Sequence, residues 1–172
     1  MPIQHIFTKK VLNKTTGEPS EYAFQTVFIS ILIKLLSKAY GKLYRALPEV
    51  KEYDDDLGDP RLRLDILLKN SFPSPTYGYE LVVAATKGVF DEHVKRAEYY
   101  SKLHNCHSMY LVHLCNIDGF KLKNYFGEEC SNVTPIHVIY DKNSGRAKLM
   151  YKDSEKEIFI KSFETESHLG NK

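Results

Sequence analysis

Arg61-Leu-Arg-Leu-Asp65-Ile-Leu-Leu68 and, one loop later, Tyr77-Gly-Tyr-Glu80-Leu-Val-Val83 decide how this chain folds. Leu62, Leu64, Ile66 and Leu68 alternate with Arg63, Asp65 and Leu67, the period-two pattern of a half-buried strand. In the second run Tyr79, Leu81 and Val83 share one face, and Gly78, Glu80 and Val82 share the other. Each run carries a carboxylate in mid-strand, where desolvation makes an acid costly. If the runs pair as a hairpin across Asn70-Ser-Phe-Pro-Ser-Pro75, Asp65 and Glu80 both lie opposite the more apolar set and share one sheet surface. Carboxylates on adjacent strands are hard oxygen donors suited to Mg2+ or Mn2+, and such a cation activates water and neutralises charge on a phosphate. The plainer reading makes Asp65, next to Arg61 and Arg63, a surface ion-pair acid.

Outward from this pair the chain reads as alternating helices and strands. Ser20 is a natural N-cap and Glu21 suits the first turn of a helix. Phe24, Val27, Phe28, Ile31, Leu35 and Leu36 then recur at helical spacing to about Tyr40, where Gly41 can end the helix. Ala46 to Val50 reads as a short strand, and Glu52-Tyr-Asp-Asp-Asp56 as a charged loop. A second helix is expected over 90–104 and a buried strand over 108–114, with 119–135 irregular. Residues 136–140 and 146–151 suggest a hairpin, and 157–163 one further strand. The order helix, three strands, helix, strand predicts a three-layer α/β fold with a mixed sheet and C-terminal β additions, in which strands separated by a helix run parallel. Residues 20–165 form one expected domain, between a turn-rich lead-in over 1–19 and a tail over 166–172.

Composition narrows the function classes. A chain of 172 residues, 42 % hydrophobic and 27 % charged, can bury a proper core and is not a disordered segment. A net charge of only +2 requires that any nucleic-acid contact come from clustered basic groups. Lys34, Lys38, Lys42 and Arg45 form such a series near the end of the first helix, either a phosphate track or a solvated helix end. Cys106, Cys115 and Cys130 give no close pair, which argues against a disulfide framework and for a reducing compartment, cytoplasm or nucleus. The first residues lack the pattern of a signal peptide, and Lys34 interrupts the longest apolar run, so no membrane association is expected. His104, Cys106, His107 and Cys115 match no standard zinc spacing. Neither a P-loop nor a GxGxxG is found. Tyr99, Tyr100 and Tyr125 could stack on bases if exposed.

The αβββαβ order and the two strand acids resemble the restriction-endonuclease-like PD-(D/E)xK superfamily of nucleases. By that resemblance Asp65 and Glu80 are the metal-binding acids of a DNA phosphodiesterase. The sequence departs from the motif in two places: no proline precedes Asp65, and Val82 stands where the lysine belongs. Some branches carry the positive charge on the following helix, where His93, Arg96 and Tyr100 fall on one stripe. Arg96-Ala-Glu-Tyr-Tyr100 resembles the QxxxY helix of RecB-like nucleases, with arginine in place of glutamine. Arg96 ranks first as a phosphate contact because a guanidinium presents a bidentate fork. Lys87 could reach inward from the turn, and His93 could transfer a proton. Taken singly, Arg96 and His93 also read as solvated helix residues.

A closer likeness covers residues 20–115. Ser20-Glu-Tyr-Ala-Phe-Gln25, Arg63-Leu-Asp65, Gly78-Tyr-Glu80-Leu81 and Glu92-His93-Val-Lys-Arg96, in that order, resemble the C-terminal nuclease-type modules of crinkler-type effectors. The resemblance implies that Glu21 and Gln25 line the site, Glu21 as a further metal ligand. It also implies secretion into a host cell as part of a longer chain that acts in the nucleus. Gln25, Arg63, Tyr100, Lys38 and Lys42 are the expected nucleic-acid contacts, and DNA is the expected partner with RNA left open. Two non-enzymatic readings stand beside this one. The first is an inactive nuclease fold that binds DNA or a host protein; the second is an interaction or dimerisation domain, a homodimer included, whose strand edges and apolar helix pack against another chain.

Overall fold

The computed structural model describes residues 19–51, 63–70, 75–116, 132–141, 146–151 and 154–159. The lead-in up to residue 18, the tail, Asp54 to Asp56, Arg61, Leu62, Tyr125 and Cys130 lie outside them. The elements follow in the order α1 (Glu21–Tyr40), β1 (Tyr44–Lys51), β2 (Arg63–Asn70), β3 (Tyr77–Val83), α2 (Lys87–Leu103), β4 (Ser108–Asn116), β5 (Val133–Asp141), β6 (Arg146–Tyr151) and β7 (Ser154–Phe159).

All seven strands form one mixed sheet whose spatial order equals their order in the sequence. β1, β2 and β3 run as an antiparallel meander, β3, β4 and β5 are mutually parallel, and β5, β6 and β7 are antiparallel again. α1 covers one face over β1 and β3, and α2 covers the other over β3, β4 and β5. The expected three-layer α/β arrangement is therefore present. So is the parallel pairing of the strands on either side of α2.

Local chemistry accounts for both helices. Ser20 Oγ accepts the Ala23 N–H at 3.2 Å to cap α1, and Gly41 adopts φ +61° just beyond its end. Ala23, Phe24 and Gln25 are buried, and Val27, Phe28, Ile29, Leu32 and Leu36 pack partly buried on the sheet. Leu35, expected inward, points out at 59 % exposure, and Leu32 takes the inward place. α1 is also long and apolar enough to cross a membrane, a feature that the lysine-interrupted run did not suggest. In the fold it lies along the sheet. α2 begins at Lys87, earlier than its apolar pattern implies, because the Thr86 side chain caps it. It buries Phe90, His93, Ala97, Tyr100 and Ser101.

Two apolar clusters fill the spaces between layers. Phe24, Ile66, Leu68, Leu81, Val112 and Leu114 pack on the α1 side. Leu64, Leu67, Val82, Phe90, Ala97, Tyr100, Met109 and Leu111 pack on the α2 side. The strict alternation expected for β2 fails at one point. Leu64 belongs to the α2-side cluster, whereas Ile66 and Leu68 belong to the α1-side cluster. The change of face falls at Asp65. On β1 the ladder steps from Pro48↔Ile66 to Val50↔Leu64, and the skipped Glu49 has φ +47°. That left-handed residue stands level with Asp65 and inserts no extra residue into the ladder, and the period-two reading of β2 breaks at the same level.

The C-terminal strands also differ from expectation. The expected hairpin exists as β5 and β6, but β5 begins at Val133 and joins β4 in parallel, inside the main sheet. The last strand is Ser154–Phe159, a few residues before the expected position.

Candidate active site

The ladder between β2 and β3 pairs Leu68↔Tyr77, Leu67↔Gly78 and Ile66↔Tyr79, and stops there. The next step would place Asp65 opposite Glu80, as the sequence pattern predicts. Two side-chain hydrogen bonds take over at this step. The Leu81 N–H donates to Asp65 Oδ2 at 2.7 Å, and the Gln25 amide donates from α1 to the Asp65 carbonyl at 3.1 Å. β3 meanwhile stays paired with β4 as far as Val83↔Leu114. β2 and β3 therefore part at the two acids, and backbone groups released by the parting are held by side chains.

Glu80 projects to the α2 side and is only 2 % exposed. His93 Nδ1 lies 2.9 Å from its Oε1, and Arg96 Nη2 lies 3.0 Å from the same oxygen. Arg96 Nη2 also stands 2.6 and 2.7 Å from the two ring nitrogens of His93. A neutral imidazole satisfies two of these contacts: Nδ1–H donates to Glu80 and Nε2 accepts from Arg96, while the approach of Nη2 to Nδ1 sets two donors side by side. Burial and the Arg96 charge both push the His93 pKa down, in agreement with that neutral form. Glu80 Oε2 is buried and has no hydrogen-bond partner among the described residues.

Burial pushes Asp65 up to about 7, with the Glu80 charge adding to the rise and the Leu81 amide opposing it. Burial likewise pushes Glu80 up to about 8, against the pull of Arg96 and with a further push from Glu21. At neutral pH, with no cation present, burial thus favours the protonated form of Glu80 and leaves Asp65 near its midpoint.

The other expected site residues fall into three groups. Glu21 sits exposed in the first turn of α1, and its charge raises the pKa of Asp65, Glu80 and His93 alike. It belongs to the rim. Gln25 is buried and committed to the Asp65 carbonyl, so it is a positioning residue rather than a contact for nucleic acid. Tyr100 has no exposed surface, and its ring packs beneath the site in the α2-side core. A base cannot stack on it, because its helical spacing also faces the sheet. Arg63 pairs with Glu49 at 3.4 Å on the edge strand, and Lys87 pairs with Asp91 at the exposed start of α2. Neither cation turns inward, because a nearer carboxylate holds each. Lys38 lies thirteen residues along α1 from Gln25, about 20 Å at 1.5 Å per residue, and Lys42 lies beyond the helix end. Val82 is 2 % exposed in the α2-side core, and Arg96 brings the positive charge to Glu80 from the helix instead.

Among the described residues no group of three or more His, Cys, Asp or Glu side chains is arranged to hold a metal ion. Asp65 and Glu80 are a pair. Their hard oxygens and the orphaned Glu80 Oε2 nevertheless suit Mg2+ or Mn2+, which bind through one or two carboxylates and complete their shells with water and phosphate. His104 and His107 face different rings, Tyr100 and Tyr77 respectively, so the weak zinc reading gains nothing.

One cluster escaped sequence reasoning. His113 of β4 and His137 of β5 are register partners, both fully buried, with Nδ1 atoms 3.3 Å apart. The Ala85 N–H donates to His113 Nε2 at 3.2 Å, so the His113 proton resides on Nδ1 and points to His137. Phe90 packs its ring against both imidazoles. Desolvation lowers the pair to about 3 and about 4, which keeps both neutral. Only the pairing of β4 with β5 brings them together, and no spacing in the sequence signals it.

The chain matches no family model, no curated protein and no solved structure.

Proposed function

We propose that this protein is a metal-dependent nuclease of the restriction-endonuclease-like kind, acting on the phosphodiester bonds of DNA. The observation that carries the reading is the meeting of Asp65 and Glu80 where β2 and β3 part, with the Arg96 guanidinium on the same oxygen as His93. An α1-β1-β2-β3-α2-β4 order with helices on opposite faces supports the fold assignment. Asp65 and Glu80 would hold Mg2+ or Mn2+, which supplies charge neutralisation at phosphate and a more acidic bound water.

The chain's own residues do the rest. Leu81 N–H and Gln25 fix the position of Asp65 from two sides. Arg96, with 41 % of its side chain exposed, has guanidinium surface left to meet a phosphate oxygen after serving Glu80. His93, neutral and hydrogen-bonded on both nitrogens, holds the Glu80 carboxylate and Arg96 in register. Arg96 thus takes the electrostatic part that a lysine at the Val82 position plays in the family.

The test is cleavage of plasmid DNA with Mg2+ or Mn2+. Asp65→Ala and Glu80→Ala should each lower turnover by about a hundredfold or more, with circular dichroism unchanged. Arg96→Gln should lower it by about tenfold or more. A folded Asp65→Ala protein with full activity would sink the assignment. Salt-sensitive DNA retention without cleavage under either metal would favour the inactive binding module, for which the buried Val82 speaks.

A further inference from the structure

The end of the sheet away from the carboxylates has a different chemistry. Tyr40 at the last turn of α1, Tyr44 on β1 and Tyr77 on β3 form a row with ring centroids 5.4 and 6.3 Å apart. Beside it Tyr110 of β4 stacks on Tyr79 of β3 at 5.2 Å. Tyr40 is 54 % exposed, and the other four are only half-buried. Ring surface therefore meets solvent here.

Four exposed cations surround the row. Lys38 and Lys42 flank it at the end of α1, and Arg45 and Lys69 stand on the reverse side of the same strand ends. None forms an ion pair among the described residues. No acidic residue occurs in 33–48, 67–70, 75–79 or 104–111, the described segments that carry the tyrosines and these four cations. Arg45 and Lys69 are direct cross-strand partners, and like charges so placed cost stability until an anion comes between them. In a chain with a net charge of only +2, four cations in described segments that carry no acid are a local concentration of charge and not a general basicity.

Flat rings bordered by exposed cations suit a flexible polyanion that carries flat groups. We propose that this end of the sheet is a docking surface for a single-stranded polynucleotide. Bases stack on Tyr40 and the row behind it, and phosphates meet Lys38 and Lys42 on one side and Arg45 and Lys69 on the other. Cations on both faces of the strand ends require a backbone that bends around the rim, which a single strand does and a stiff duplex does not. The surface lies some 20 Å along α1 from Gln25, so it is separate from the carboxylate pair and does not depend on cleavage there.

The test uses the full chain in EDTA with fluorescein-labelled oligo-dT, oligo-rU and a duplex of equal length, read by anisotropy. Both single strands should bind more tightly than the duplex. Tyr40→Ala should weaken binding by about fivefold or more, the loss of one stacked base, while Tyr40→Phe retains it. Lys42→Glu should weaken binding and flatten its salt dependence. The protein has twelve tyrosines and no tryptophan, so stacking should also quench its own emission. Because the assay runs in EDTA, its outcome does not depend on metal-dependent cleavage at the carboxylate pair. Tighter binding to duplex, an unaffected Tyr40→Ala, or displacement by poly-glutamate as effective as by unlabelled oligo-dT would each overturn the proposal.

Discussion

Burial to 2 % exposure presses Glu80 towards its neutral form, while Arg96 at 3.0 Å presses it towards the anion. Burial prevails, and Glu80 and Asp65 hold their protons to about 8 and about 7, against ordinary values of 4.5 and 3.8. The folded state thus binds more protons than the unfolded chain between about pH 4 and 8, and these two acids lose stability as pH rises through that window. His113 and His137 act in the opposite sense. They stay neutral in the fold down to about 3 and 4, so stability is lost as pH falls below their ordinary value of 6.5. The two effects oppose each other below pH 6.5, and only the acids act above it. In chelated buffer Tm should therefore vary little from pH 5 to 6.5 and then fall by roughly 5–10 °C towards pH 8.5, about 2–3 kcal/mol. Glu80→Gln should flatten most of that fall in a thermal melt. A Tm that rises between pH 6.5 and 8.5 would contradict these protonation states. Asp65 and Glu80 were legible as a pair because a mid-strand acid is rare and two in matching register are rarer. Tyr100 was misread because a helical stripe identifies a face without saying whether that face meets sheet or solvent.

At the scale of elements, the site depends on α1 as much as on the strands. Once β2 and β3 separate, the Asp65 carbonyl has the Gln25 amide as its partner. Gln25→Ala leaves that buried carbonyl without it and should cost about 1–3 kcal/mol, visible in the denaturation midpoint. It should also lower the cleavage rate, because Asp65 is then held by the Leu81 amide with nothing behind it. A Gln25→Ala protein as stable as wild type would show that the carbonyl is satisfied in another way. The helices and strands themselves were readable from periodicity and capping, as Ser20 and Gly41 illustrate. The kink was not. A single left-handed residue, Glu49, lies level with the point where β2 changes face between Leu64 and Ile66, and nothing in the apolar pattern of β2 records an event on β1.

For the whole molecule, the order of elements and the mixed sheet followed from the sequence, because a helix between strands enforces a parallel return. The parallel pairing of β4 with β5 did not follow, since 119–135 gave no recognisable crossover pattern, and the buried histidine pair went unseen with it. The edge of the sheet carries a further consequence. Among the described residues β1 is an outermost strand, and in mid-strand it has Pro48, which lacks an N–H, next to Glu49 at φ +47°. A foreign strand laid along β1 would find one donor missing and the next peptide turned out of line. Replacing both, as in Pro48→Thr with Glu49→Val, should give concentration-dependent association by light scattering while wild type remains unchanged at the same concentration. An equally monodisperse double variant would show that the edge is guarded by something else. With that border shut, growth into fibres by adding strands is blocked on the β1 side, and any partner arriving there must engage the faces or the rim.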